Sequence, residues 1–168
     1  EVVTGFRVAP GGAQEKFGVT PDMTTLAKIL SGGLPGGACV GREDVMSYIA
    51  TKPSAEENRR AKIAHAGTFN ANPLTAAAGV AMLASVADGE AIRFVNRQAA
   101  VLRHGMNETL ARHKVAWKIY GEHSDWKIFF GADAPPRDGS DQSVRDVDWR
   151  RLDAKNAEQS RALRQALI

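Results

Sequence analysis

Thr24 to Gly41, TTLAKILSGGLPGGACVG, places a lysine inside an apolar run immediately ahead of a glycine-rich turn. That lysine is Lys28, flanked by Leu26, Ile29 and Leu30. Lysine is seldom buried without a role, and a desolvated ammonium gives up its proton more readily, leaving an amine able to act as nucleophile or base. Gly32, Gly33, Gly36 and Gly37 let the backbone approach a bulky group closely or adopt positive φ at little cost. Spacing alone admits two readings: a lysine snorkelling from the end of an amphipathic element beside an ordinary turn, or a cofactor seat. The usual nucleotide loops fit poorly. Lys28 precedes the glycines where a Walker loop needs the lysine after them, and no G-x-G-x-x-G opens a helix here. A phosphate- or nucleotide-binding α/β domain would rest on the glycines alone.

With 168 residues the chain is long enough for one good core or two modest lobes. Its 43% hydrophobic and 24% charged content is that of an ordinary globular protein. No apolar run approaches the roughly 20 residues of a membrane span, and no charged n-region leads into an apolar stretch, so a cytoplasmic location is the default expectation. The single Cys39 excludes an intrachain disulfide and reads as a small strand residue. A formal charge of +3, with Glu56 and Glu57 preceding the basic run Arg59, Arg60, Lys62, gives no case for nucleic acid. His65, His104, His113 and His123 lack metal-ligand spacing, so no metal is expected.

Along the chain, the β-branched start E-V-V-T-G-F reads as the end of a strand over 1–6, already in progress, and so as a piece of something longer. A glycine-rich connection over 7–18 leads to the apolar segment 23–30. A strand over 38–40, expected to be buried, and a short helix over 44–50 follow the glycine turn. The polar stretch 51–62 reads as an exposed loop or short helix. In HAGTFNANPLTAAAGVAMLASV, from His65, a turn-like first half precedes an alanine-rich helix with Pro73 in its first turn. Its small residues would let that helix pack closely on a neighbour. Asp88 and Gly89 then introduce a long amphipathic helix over 90–113. Strands are predicted over 115–120 and 126–130, a loop over 134–148 and a last helix over 149–168 that meets no stop signal. Strands mixed with helices in two lobes give an α/β architecture, divided near residues 86–88.

The opening EVVTGFRVAPGGAQEKFGVTPDMTTLAKILSGGLPGGACVGREDVM, with HAGTFNANPLTAAAG after it, resembles the class III pyridoxal-phosphate-dependent aminotransferases, and within them the glutamate-1-semialdehyde 2,1-aminomutase branch. The likeness is strong to about Met82 and only general beyond. It implies a partial type I PLP-dependent transferase fold, with 1–87 as the C-terminal part of the large domain and 88–168 as an incomplete small domain. It implies that Lys28 forms the aldimine with pyridoxal 5′-phosphate and, once freed, carries a proton between substrate and cofactor. Thr68, with Gly67, would belong to a loop that reaches across a homodimer to the partner's cofactor phosphate. Read by itself, Thr68 serves equally as a helix cap turning the chain toward Pro73. Val2 matches the position that packs on the cofactor ring. The residue ahead of Glu1, where the family carries an aspartate that keeps the pyridine nitrogen protonated, lies outside this sequence. Two features depart from the family: Gly36 stands where a larger apolar residue is common, and 51–62 is longer than the usual connection.

Two functional expectations follow from different classes. One is amino-group transfer on a small amino or keto substrate, as a mutase or a transaminase. The other is a non-catalytic remnant with only a binding or structural role.

Overall fold

The computed structural model describes residues 1–130, together with Glu158, Arg161, Ala162 and Gln165, which are helical. The loop expected over 134–148, and all of the helix expected over 149–168 except those four residues, lie outside the described residues. The chain divides into two compact units, Glu1–Arg93 and Phe94–Ile168.

In the first unit Val2–Arg7 forms turns rather than the expected strand. The amide of Gly5 donates to the carbonyl of Glu1 at 3.0 Å and that of Val8 to Thr4 at 3.2 Å, so the backbone satisfies itself locally and Val2 and Val3 never enter a ladder. The connection after it contains a short helix that its glycines concealed, α1 (Gly12–Phe17), closed by Gly18 in the left-handed conformation. Strand β1 (Met23–Ala27) and strand β2 (Gly37–Gly41) pair antiparallel, from Met23 opposite Gly41 to Ala27 opposite Gly37. The strand after the glycines is therefore real but not buried: Ala38 and Cys39 are half-buried and the other three residues exposed. Lys28–Ser31 is a 3₁₀ turn that opens the connection between these strands.

Helix α2 (Glu43–Met46) follows β2, and α3 (Ala55–Ala61) is set by a capping box in which the Ser54 hydroxyl accepts from the Glu57 amide at 3.1 Å while the Glu57 carboxylate accepts from the Ser54 amide at 3.2 Å. Helix α4 (Pro73–Val86) is capped by Asn72, whose Oδ1 accepts from the amides of Leu74 and Thr75 at 3.0 and 3.2 Å. The small residues of α4 do what their size suggests. A Cβ on Gly79 would come within 2.8 Å of the Leu30 carbonyl, and one on Gly32 within 2.6 Å of the Ala78 carbonyl, so helix and 3₁₀ turn touch backbone to backbone.

The long helix α5 (Glu90–Arg112) begins in the first unit and runs from Phe94 onward in the second, where β3 (Lys118–Tyr120) pairs antiparallel with β4 (Lys127–Phe129). Asn107 clamps helix to strand: its Nδ2 donates to the Ile119 carbonyl at 2.8 Å and its Oδ1 accepts from the Ile119 amide at 2.9 Å. Ile119, Phe129 and Phe130 are buried there, and Trp117 meets Phe130 edge to face with ring centroids 4.9 Å apart.

Candidate active site

Lys28 follows the last residue of β1, and its backbone is left-handed, with φ of +57°. For a residue carrying a Cβ that conformation costs about 1–2 kcal/mol, and it turns the chain out of the strand into the 3₁₀ turn. The lysine expected to lie desolvated within an apolar element is thus exposed at the end of one, while Leu26, Ile29 and Leu30 beside it are half-buried. The strand ends one residue before it, so the apolar neighbours turn inward without taking it along. The glycines behind it earn their place through conformation and packing: Gly32 and Gly33 have φ of +60° and +89°. A Cβ on Gly36 would meet Thr75 Cγ2 at 2.5 Å and Ser31 Oγ at 2.7 Å.

Thr68 and Gly67 lie in an exposed turn. The Asn70 amide donates to the Gly67 carbonyl at 3.0 Å, the Asn70 side chain donates to the His65 carbonyl at 3.0 Å, and Ala71 takes a φ of +55°. The cap of α4 is Asn72, four residues beyond Thr68, so the capping alternative for Thr68 does not hold. Val2 is 40% exposed in the opening turn.

Between the 3₁₀ turn, the 65–72 loop and α4 runs a cleft of about 620 Å³, with Leu30, Ser31, Gly36, Asn70, Thr75 and Val80 among its walls. Lys28, Val2, Gly67 and Thr68 are not among the residues that line it. Val2, Lys28, Gly67 and Thr68 are each exposed in this chain. Ser31, only 2% exposed, was not singled out by sequence; its Oγ has no hydrogen-bond partner among the described residues.

A second group invisible to sequence is the Glu1 carboxylate. It accepts from the Thr4 hydroxyl, from the Ala13 amide at 3.1 Å and from the Gln14 amide at 2.8 Å. Burial opposes its charge, yet the Thr4 hydroxyl and the Gln14 and Ala13 amides outweigh that and hold the carboxyl below its ordinary range. Among the described residues no group of three or more His, Cys, Asp or Glu side chains is placed to hold a metal ion. No single helix among them is long and apolar enough to cross a membrane.

Residues 1–125 match the Aminotransferase class-III family model. The chain is 40% identical over 131 residues to glutamate-1-semialdehyde 2,1-aminomutase from Methanococcoides burtonii, covering 78% of this chain and 29% of that protein. Among solved structures it resembles a β-phenylalanine aminotransferase from Variovorax paradoxus, with TM-score 0.65 and 35% identity over 90% of this chain and 33% of the other. It also resembles a transaminase with PLP bound, with TM-score 0.62 and 28% identity over 81% of this chain and 30% of the other. The chain thus spans about a third or less of the length of these relatives.

Proposed function

The chain belongs to the class III aminotransferases, whose fold is the type I PLP-dependent one, and from that premise we propose that it carries the cofactor anchor of an enzyme that moves an amino group. The observation that carries the proposal is Lys28: an exposed lysine in left-handed backbone, opening a glycine connection packed on α4. Backbone strain of this kind gathers at functional positions, where the surrounding structure holds it in place.

The residues present suit pyridoxal phosphate by their chemistry. An accessible amine at Lys28 can condense with an aldehyde, Val2 offers an aliphatic face, and Gly67 with Thr68 offers backbone amides and a hydroxyl suited to phosphate. The cofactor, when bound, supplies that aldehyde and an electron-withdrawing ring. Lys28 would hold it. The same Lys28 amine would also be the group that moves a proton to and from the substrate carbon, so that one side chain both anchors and transfers protons. Val2 would orient the ring from one side. Thr68 Oγ1 and the Gly67 amide would bind the phosphate of a second subunit, which makes a homodimer the working unit.

We assign 1–87 to the large domain and 88–168 to part of the small domain. We infer that the 168-residue chain alone, which spans about a third or less of the length of these relatives, does not turn over substrate. The relative's name supports an aminomutase acting on a small amino aldehyde, and the structural neighbours support a transaminase. Product analysis of the full-length protein, with and without an added amino acceptor, separates them: transfer within one molecule needs no acceptor. An enzyme whose activity survived Lys28→Ala would overturn the assignment of the anchor.

A further inference from the structure

We propose that Glu1 is a positioning residue: its carboxylate ties the turn that carries Val2 to the start of α1 and, through Gln14, to the strand that ends just before Lys28. The inference rests on the reading of Val2 and Lys28 given above.

The geometry is a continuous set of hydrogen bonds. The Glu1 carboxylate receives the Thr4 hydroxyl from within its own turn and the Ala13 and Gln14 amides, at 3.1 and 2.8 Å, from across a gap of 12 and 13 residues. The Glu1 carbonyl also accepts from the Gly5 amide at 3.0 Å, so both ends of the residue are held. Gln14 continues the link: its Oε1 accepts from the hydroxyl of Thr24, a buried residue of β1, at 3.4 Å. Four residues on from Thr24 stands Lys28.

Gly12 leaves room for this arrangement. It is buried with a φ of +74°, and a Cβ there would meet the Glu1 carboxylate at 2.7–2.8 Å. A carboxylate suits the position because it only accepts, and every partner donates. A carboxamide of the same shape has a single acceptor oxygen, and its NH₂ would face amide donors. Glu1 thereby fixes the place of Val2, the residue that follows it, relative to the strand that leads to Lys28, without itself contacting the cofactor.

Glu1→Gln and Thr4→Val in the full-length protein test this, with Thr4→Ser as the variant that retains the donor. In cofactor-free protein, exchange of the Ala13 and Gln14 amides should accelerate about tenfold or more in Glu1→Gln, the loss expected for hydrogen bonds to a charged acceptor. In protein loaded with pyridoxal phosphate, the visible circular dichroism, which reports how the ring is seated, should change in Glu1→Gln and Thr4→Val and remain that of the wild type in Thr4→Ser. Unchanged dichroism in both Glu1→Gln and Thr4→Val, in a protein whose visible band depends on Lys28, would overturn the positioning role. A wild-type band that does not depend on Lys28 would instead overturn the reading of the site, whatever the amides of Ala13 and Gln14 do.

Discussion

At Lys28 conformation and chemistry can be separated by substitution. The left-handed backbone is costly for any residue with a Cβ, so Lys28→Gly should be more stable than Lys28→Ala by on the order of 0.5–1 kcal/mol, part of the relief being offset by glycine's greater freedom when unfolded. Both variants should lose activity equally. Urea unfolding beside an activity assay checks the pair, and equal stabilities would mean that the backbone there is not strained. Glu1 makes a prediction of a different kind. Its folded carboxyl titrates below its ordinary value of 4.5, so the folded state binds fewer protons than the unfolded one as that value is passed. The stability it contributes is therefore complete above the unfolded value and is lost as pH falls through the folded one. Unfolding curves taken from about pH 6 down to about pH 3 should show less acid sensitivity in Glu1→Gln than in the wild type.

At the scale of elements, α4 depends on its cap and on its small face. Asn72→Ala should cost about 1 kcal/mol, the usual value of a lost side-chain cap, read as a lower thermal midpoint. Gly79→Ala should cost more, about 1–3 kcal/mol, because its methyl would press on the Leu30 carbonyl at 2.8 Å and push the turn behind Lys28 off the helix. The elements legible in sequence are those whose signals are local. Pro73 and the alanines mark α4, the three-and-four spacing of Ile92, Val95, Ala99 and Leu102 marks α5, and residues flanking the glycines mark β2. Val2 and Val3 misled because β-branched residues suggest a strand while Gly5 and the Glu1 carbonyl close a turn. Glycines at 11, 12 and 18 likewise concealed α1, although Gly18 is its left-handed terminator. Lys28 and the glycine turn were legible as residue types in order. The exposure of Lys28 was not, because it depends on the strand stopping at Ala27. The Glu1 network could not be read either, since its partners Ala13 and Gln14 are distant in sequence and donate through backbone amides that carry no residue signature.

Across the whole molecule, α4 and the loop before it present apolar surface outward: Phe69, Leu74 and Val80 are 75%, 69% and 70% exposed. A helix apolar on all sides ordinarily lies inside a larger body. The proposed homodimer, in which Thr68 serves the partner's cofactor, can be tested by complementation in the full-length protein. Subunits carrying Lys28→Ala and subunits carrying Thr68→Val should each be impaired alone, yet a mixed dimer should recover one working site, built from the intact lysine of one subunit and the intact threonine of the other. Absence of recovery in a verified mixed dimer would place Thr68 in its own subunit's site or outside any site. The assignment of Lys28 as the cofactor anchor is tested most directly by covalent mapping. Full-length protein incubated with pyridoxal phosphate, reduced with borohydride and digested should carry the cofactor's added mass on the peptide containing Lys28 and nowhere else in stoichiometric amount. Stoichiometric label on another lysine, or an unlabelled Lys28 peptide in a protein that retains activity, would contradict it.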